Sequence, residues 1–422
     1  MAAKPNPRLV IVDPAWSGSV GHHSDVNRQL QQALDAAGWQ VEAWADQEAA
    51  ELGLPWIRPL LHGCGYQDPR HWSDTSGSLH LARRLADQLE SGMGPAEQPV
   101  TAWLMHTALP YQLMGLARML NQQPAAQVLI SLMFAPGETL EGEAADAVAI
   151  SNSRLALEAL AEACQRQGHK LWIGLPSRQQ QELWAPLIRA AELPEGELHA
   201  AVVGAGGAAV KPPKGAPKLL LHWGDRKQAK GWLHSLAAVE QLLDQGVPAN
   251  LRGHGWLFHV HCHAPIPESE LQLLERAERQ IPGYQLLREA IPQPEMLRRL
   301  AGCNAALLAY CPRAYSERSS GILWAYASAR RAVGLPAAVV GLGGGWLERE
   351  SQELGLAWRS AVNPSSSGWL KPLSEAIDAD QGRVQHCPEE RATRCENYSD
   401  IILGKSFAEQ IASRLNLAYI PK

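Results

Sequence analysis

The sequence predicts an α/β protein with two doubly wound parallel-sheet domains, and three observations support this prediction. Short apolar strands alternate with amphipathic helices in both halves of the 422-residue chain, which is typical of parallel sheets covered by helices. Each half opens with an apolar strand and a glycine-containing loop, at residues 8–13 and again at 219–223. Between the halves, residues 204–217 (GAGGAAVKPPKGAP) lack periodicity, which indicates a linker. We therefore expect domains at 1–203 and 218–395, with a final segment at 396–422.

Composition and charge exclude several classes of protein. Hydrophobic residues make up 46% of the chain and charged residues 19%, as in a globular protein, and the net charge of −5 does not suggest a nucleic-acid groove. The seven cysteines form no C-x-x-C pair and their number is odd, which favours a reducing compartment such as the cytoplasm. The start of the chain lacks a signal-peptide core, and no apolar run approaches the roughly 18 residues that span a bilayer.

The first half begins with a strand at residues 8–13 and a loop that contains Gly21, His22 and His23. Ser24 or Asp25 can cap the following helix, and Gly38 ends it before a strand at 39–45. Ligands of such sheets bind beyond the carboxyl ends of the strands, so this loop is a candidate ligand contact, although simple capping explains it equally well.

The rest of the first half continues the same alternation. Residues 52–74 are read as one short strand within a long loop. Further strands are expected at 100–106, 126–134, 170–175 and 198–203, and helices at 79–89, 110–120, 152–166 and 179–191. His106 ends one of these strands, where it is either a ligand contact or a hydrogen-bonded core histidine.

The second half repeats the pattern after the linker. Strands are expected at 219–223, 257–263, 284–287, 305–310 and 337–340, and helices from 233, at 268–280, at 294–301, from 320, at 346–354 and at 401–415. The loop before residue 320 carries Arg318 and Ser319, and Ser320-Gly321 begins the helix. Unpaired amides and the helix dipole at such a start can hold a phosphate.

Three segments of the second half resemble GT-B glycosyltransferases of the family 4 type. They are the helix and strand SGILWAYASARRAVGLPAAVV, the turn in which Gly224 is followed six residues later by Lys230-Gly231, and the glycine run 341–345 that includes Gly344. The resemblance implies the GT-B fold, with two Rossmann-like domains facing across a cleft and a final helix that packs back on the first domain.

The chain departs from that family at one feature of the site. Family members usually carry two glutamates eight positions apart around the helix start, and here Arg318 and Tyr326 stand at those positions. Glu317 lies one residue before the first position. This variant resembles a divergent bacterial branch of the superfamily.

The resemblance implies a transferase that moves a sugar from a nucleotide diphosphate-sugar to an acceptor, with retention of configuration and without a metal or other cofactor. The acceptor (a glycan, lipid, protein or small molecule) stays open. His106 and Glu317 are the implied catalytic residues, and Gly21, His22 and His23 lie on the acceptor side. The implied donor-binding residues are Gly224, Arg226, Lys230, Arg318, Ser319, Ser320, Gly321 and Gly344. The alternative interpretation of Lys230 is an ordinary solvated lysine at the start of a helix.

A metal site and two other functions are the alternatives to this hypothesis. His259, His261 and His263 share one face of a predicted strand, but residues two apart on a strand are separated by about 6.5–7 Å, which is awkward for one ion. No metal is therefore expected. The missing glutamate pair also suits a non-catalytic GT-B-like scaffold, and a sugar-nucleotide epimerase is a further alternative.

Overall fold

The computed structural model of the chain describes residues 6–19, 21–66, 74–94, 98–138, 146–204, 210–215, 217–261, 265–361, 368–382 and 397–418. The chain forms two compact units. Unit 1 consists of Met1–Val202 together with Phe407–Lys422, and unit 2 is Val203–Ser406. Within the described ranges, every helix is too short or too polar to cross a bilayer.

Unit 1 contains a seven-stranded sheet in which all paired strands are parallel. The strand order is β3-β2-β1-β4-β5-β6-β7. The strands are β1 (Arg8–Asp13), β2 (Gln40–Asp46), β3 (Ile57–Leu61), β4 (Ala102–Met105), β5 (Gln127–Ser131), β6 (Lys170–Leu175) and β7 (Glu197–Leu198). All six residues of β1 are buried, as expected for a central strand covered on both faces.

Helices cover both faces of this sheet. They are α1 (His22–Ala36), α2 (Thr75–Gly92), α3 (Pro110–Leu120), α4 (Ala147–Gln167), α5 (Arg178–Ala190) and α12 (Phe407–Ala418). Helices α1 and α12 bury Leu30 and Ile411 in one apolar cluster with Ile11 of β1. Helices α2 to α5 bury their apolar residues in a second cluster with Val10. The C-terminal helix is thus part of the core of unit 1.

Unit 2 contains a six-stranded parallel sheet in the order β10-β9-β8-β11-β12-β13. Its strands are β8 (Lys218–Gly224), β9 (Gly255–Val260), β10 (Tyr284–Leu287), β11 (Cys303–Leu308), β12 (Ala338–Gly341) and β13 (Ala357–Ser360). Its helices are α6 (Trp232–Gln245), α7 (Glu268–Gln280), α8 (Gln293–Ala301), α9 (Gly321–Ala332), α10 (Trp346–Glu353) and α11 (Leu370–Gly382). Helices α6, α7 and α11 share one apolar cluster with the sheet.

Each sheet has one position where the chain reverses the direction in which it adds strands. In unit 1 this position lies between β1 and β4, and in unit 2 it lies between β8 and β11. At such a switch point the loops that leave the two strands diverge and open a crevice, which is where open parallel sheets bind ligands. The two switch points therefore define the places to look for function.

Several boundaries differ from the sequence predictions for local reasons. Helix α4 begins at Ala147, before the expected start at residue 152, because the Asp146 carboxylate accepts the Ala149 N–H at 2.8 Å. Helix α1 begins at His22 with Gly21 as its N-cap. Strand β9 ends at Val260 and not at 263.

Two elements were missed and one starts later than expected. Strand β13 is only partly buried, so it gave no clear apolar pattern. Helix α11 was missed although its buried residues Leu370, Leu373 and Ile377 recur at helical spacing. The last helix starts at Phe407, although residues 397–403 are also helical.

Candidate functional site

The loop after β8 is attached directly to the carboxyl end of β11. Gly231 has φ of 75°, and a Cβ atom there would lie 2.3 Å from the Ala309 carbonyl oxygen. The Cys311 N–H donates to the carbonyl of Ala229 at 2.9 Å. Only glycine fits this close approach in the left-handed conformation. The contact places Lys230, the residue between Ala229 and Gly231, at the switch point of unit 2.

The side-chain ammonium group of Lys230 is partly buried. Its Nζ atom lies 3.6 Å from the position that a Cβ would occupy on Gly224. Burial lowers the pKa of Lys230; Asp225 opposes this effect, while Lys227 and Arg318 add to it. Among the described residues, no carboxylate lies within ion-pair distance of this ammonium. A partly desolvated cation of this kind favours a bound anion.

His222 fixes the loop that carries Lys230. Its Nε2–H donates to the Asp225 carbonyl at 3.3 Å, and its Nδ1 lies 3.2 Å from the Ser235 hydroxyl, which also lies 3.2 Å from the Gly231 carbonyl. The ring stacks on Phe258. Burial lowers the pKa of His222 to about 3, so the imidazole is neutral and keeps this tautomer.

The start of α9 lies at the other side of the same switch point. Ser320 is the N-cap, and its hydroxyl accepts the Leu323 N–H at 3.4 Å. The Arg318 guanidinium lies over the Tyr315 ring, 5.7 Å from its centroid. The helix start thus combines amides, hydroxyls and a positive charge. The structure brings the predicted residues Gly224, Lys230, Arg318, Ser319, Ser320 and Gly321 to this one edge of the unit 2 sheet.

Two of the predicted donor-binding residues have partners elsewhere in unit 2. The Arg226 guanidinium forms an ion pair with Glu270 of α7 at 2.8 Å, and the same carboxylate accepts from Trp232 Nε1 at 3.0 Å. The Gly344 N–H donates to the Glu348 carboxylate at 2.7 Å. These contacts occupy the groups to which the resemblance assigned binding of the nucleotide-sugar donor.

The two positions that carry glutamates in the family 4 enzymes have different surroundings in this structure. Tyr326 is fully buried, and its hydroxyl lies 3.0 Å and 3.2 Å from the carbonyl oxygens of Asn304 and Ala338, so this position serves the core. Arg318 stands at the first position, and Glu317 lies one residue before it; both are half-buried in the loop before α9.

At the switch point of unit 1, the Asp13 carboxylate holds three side chains. It accepts hydrogen bonds from Nδ1 of His23 at 2.9 Å, Nε2 of His106 at 3.1 Å and Nδ2 of Asn27 at 2.6 Å. Asp13 ends β1, and His106 follows β4. Because a carboxylate only accepts, both imidazoles carry their proton on the nitrogen that faces Asp13.

The remaining nitrogen of each imidazole is also bonded. The Tyr66 hydroxyl lies 3.0 Å from Nε2 of His23, and the Thr107 hydroxyl lies 3.0 Å from Nδ1 of His106. His106 is 1% exposed. The predicted catalytic His106 is therefore a buried part of a hydrogen-bond network, the second of the two interpretations that the sequence left open.

Asp13 is ionised in this network. Burial acts to raise the pKa of its carboxyl, but the charges and hydrogen bonds of His23 and His106 outweigh burial and hold it well below the usual range. The ring of His23 contacts that of His22 (centroids 4.0 Å apart), and His22 is exposed, as is Gly21, the N-cap of α1 with φ of 99°. These exposed residues are where a ligand of unit 1 can touch the cluster.

The same cluster has the composition of a metal site. In the described ranges, Asp13, His23 and His106 are the group whose ligand atoms all lie within 4.8 Å of one another. Two histidines and a carboxylate suit a divalent transition metal. However, each of these atoms already has a hydrogen-bond partner, so the network is complete without an ion.

Of the histidines proposed from strand alternation, His259 and His261 form no comparable cluster within the described residues. Nε2 of His259 donates to the Glu289 carbonyl at 2.8 Å, and β9 ends at Val260, so His261 is not on the strand. His263 lies outside the described residues. The prediction that these histidines share one strand face was wrong because β9 is shorter than its apolar pattern suggests.

Sequence reasoning missed Asp13, Asn27, Tyr66 and His222. Asp13 offered one signal, because it is a charged residue that directly ends an apolar strand. Asn27 and Tyr66 gave no such signal, because they lie 14 and 43 residues from their partners Asp13 and His23.

Comparison with solved structures identifies the architecture. No family model and no curated protein sequence matches the chain. The N-terminal domain of a Candida albicans trehalose-6-phosphate phosphatase aligns over 100% of this chain and 99% of its own, with a TM-score of 0.59 and 12% identity. An Escherichia coli trehalose-6-phosphate structure bound with UDP-2-fluoro glucose covers 98% and 99%, with a TM-score of 0.54 and 13% identity. The chain has the GT-B fold.

A third GT-B match is similar in extent. The UDP-forming α,α-trehalose-phosphate synthase from Burkholderia xenovorans in complex with glucose-6-phosphate covers 97% of this chain and 99% of its own, with a TM-score of 0.54 and 12% identity. At this identity the likeness concerns the fold, so function must be argued from the sites themselves.

Proposed function

We propose that this GT-B protein is a glycosyltransferase that moves a sugar from a nucleoside diphosphate-sugar to an acceptor. The observation that carries the proposal is the position of Lys230, a partly desolvated ammonium fixed at the unit 2 switch point beside the start of α9. A diphosphate is the anionic part of such a donor, and a switch-point crevice with a cation and a helix N-terminus suits it.

The chemistry required of this site is mainly electrostatic. Negative charge develops on the diphosphate as the glycosidic bond breaks, and Lys230, Arg318 and the first amides of α9 would stabilise it. Fixed cations supply the charge compensation, so the proposal includes no metal. Arg226 is left out of this set because Glu270 pairs with it.

The acceptor side is assigned to unit 1, at the exposed residues Gly21 and His22 beside the Asp13 cluster. Asp13 fixes His23, and His23 in turn contacts His22. Retention of configuration is part of the proposal because the family 4 resemblance implies it. Proton NMR of the first-formed product distinguishes retention from inversion.

A thermal-shift screen against UDP-, GDP- and ADP-glucose tests the proposal. Binding of one donor, followed by release of the matching nucleoside diphosphate in the presence of candidate acceptors, is the expected result. A non-catalytic GT-B-like protein is the second candidate, since Tyr326 replaces a family glutamate and its hydroxyl bonds to backbone carbonyls. Donor binding without turnover would favour that second function.

A further inference from the structure

Tyr310 has a buried hydroxyl that the fold itself does not use. The residue lies two positions beyond the end of β11 and is 4% exposed. Its hydroxyl makes no hydrogen bond of normal geometry with any group in the described ranges. A buried hydroxyl without a partner is costly, and such groups are rare in folded proteins.

The surroundings of this hydroxyl are those of the candidate diphosphate site. The Tyr310 ring packs on Tyr315, with centroids 4.6 Å apart, and Arg318 lies over the ring of Tyr315. Burial raises the pKa of Tyr310 to about 12, and the neighbouring Ser320 hydroxyl opposes this rise. The phenol therefore stays protonated at neutral pH and can donate a hydrogen bond beside the N-cap of α9.

The neighbouring charges indicate which chemical group would accept the hydrogen bond from the Tyr310 hydroxyl. Lys230 and Arg318 are close enough for their charges to interact, and the 12-residue helix α9 presents its positive end at Ser320. Positive potential from three sources favours an anion over a neutral sugar hydroxyl. The Tyr310 hydroxyl would add a directional hydrogen bond to a site that otherwise binds an anion mainly through positive charge.

We infer that Tyr310 is a ligand-binding residue whose hydroxyl donates to a phosphate oxygen of the nucleoside diphosphate held by Lys230 and the start of α9. The inference rests on the proposed function and adds a specific contact to it. Because the hydrogen of this hydroxyl gains an acceptor only when the anion is bound, removal of the hydroxyl weakens binding without weakening the unliganded fold.

The chain contains a matched control for this inference. Tyr284 is also buried, with a hydroxyl that has no hydrogen-bond partner, but it begins β10 and so lies at the opposite end of its strand from the switch-point loops. Tyr284→Phe removes a comparable hydroxyl from the same unit. Tyr326→Phe is a second control, because it removes a hydroxyl that bonds to the backbone.

The experiment is calorimetric titration of inorganic pyrophosphate and of UDP, GDP and ADP into wild type, Tyr310→Phe and Tyr284→Phe, together with melting temperatures without ligand. For Tyr310→Phe we expect a rise of about tenfold or more in the dissociation constant of pyrophosphate and of the nucleotide that binds. Its melting temperature should stay the same or rise. Tyr284→Phe should bind as wild type does.

Three results would overturn the inference, and they separate it from the proposed function. If wild type binds a nucleoside diphosphate and Tyr310→Phe binds it equally well, Tyr310 is not a ligand contact and the proposed function stands. If Tyr310→Phe lowers the melting temperature as much as Tyr326→Phe does, the hydroxyl is structural. If wild type binds neither pyrophosphate nor any of the nucleotides, both the inference and the proposed function fail.

Discussion

The imidazole of His106 lies 3.1 Å from the carboxylate of Asp13, a residue 93 positions earlier in the chain. This contact joins the carboxyl ends of β1 and β4 at the switch point of unit 1. It explains why a histidine that ends a strand is buried and why its ring has a defined tautomer.

Substitution of Asp13 should destabilise the protein strongly. Asp13→Asn removes the charge and introduces a donor among three existing donors, so we expect a loss of about 2–3 kcal/mol in the free energy of unfolding. Urea denaturation measures this loss. Asp87→Asn, at an exposed position of α2, is the control and should change stability by less than about 0.5 kcal/mol. Equal effects of the two substitutions would mean that the network contributes nothing.

We expect the purified protein to contain no stoichiometric zinc, iron or manganese. The hydrogen bonds around Asp13, His23 and His106 already satisfy the atoms that would bind an ion. Elemental analysis and the melting temperature in EDTA are the measurements. One metal ion per chain that is lost in His23→Ala would instead establish a two-histidine, one-carboxylate site.

The unliganded fold should lose stability as the pH falls below about 6.5. Burial lowers the pKa of His199 and of His259 to about 4 and that of His222 to about 3, each from an ordinary value of 6.5. Between those values the unfolded chain binds protons that the folded chain does not, so stability rises with pH in this window. Each histidine adds a slope of up to about 1.4 kcal/mol per pH unit.

Urea unfolding at pH 7, 6 and 5 measures this slope. His222→Gln should reduce it, because a glutamine does not titrate. An identical slope in wild type and His222→Gln would contradict the neutral, buried state of His222.

The close approach of Gly231 to β11 should make this glycine irreplaceable. Gly231→Ala combines a left-handed backbone with a Cβ atom 2.3 Å from the Ala309 oxygen, and we expect a loss of about 3 kcal/mol or more. Gly334→Ala is the matched control, because Gly334 is also left-handed, with φ of 67°, but has open space around it. It should cost only about 1 kcal/mol. Similar losses in both variants would show that the packing against Ala309 is not tight.

Much of the fold is encoded locally, and that part was predictable. The strands at 8–13, 170–175 and 284–287 and the helix start at Ser320-Gly321 follow from apolar runs and cap residues that act over a few positions. The two-domain α/β architecture follows from the alternation of such elements and is confirmed by the GT-B fold.

The site was less predictable because its contacts are distant in sequence. Nothing near Arg226 indicates that Glu270, 44 residues later, pairs with it. The role of Asp13 depends on His23 and Asn27 of α1 and on His106, which reaches Asp13 only when β1 and β4 pair. Spacing identified residue types that suit a phosphate, but the contacts that hold them are tertiary.

Calorimetric titration of UDP, GDP and ADP into wild type, Lys230→Ala and Lys227→Ala tests the central proposal most directly. Lys227 is an exposed lysine of the same loop that pairs with Asp225 at 2.9 Å, so it controls for general loss of positive charge. We expect wild type to bind one of these nucleotides and Lys230→Ala to bind it about tenfold to 150-fold more weakly, which corresponds to about 1.5–3 kcal/mol. Lys227→Ala should change the affinity by less than about fivefold. Equal affinity of Lys230→Ala and wild type would contradict the placement of the diphosphate, and absence of binding by wild type at millimolar nucleotide would contradict the glycosyltransferase proposal itself.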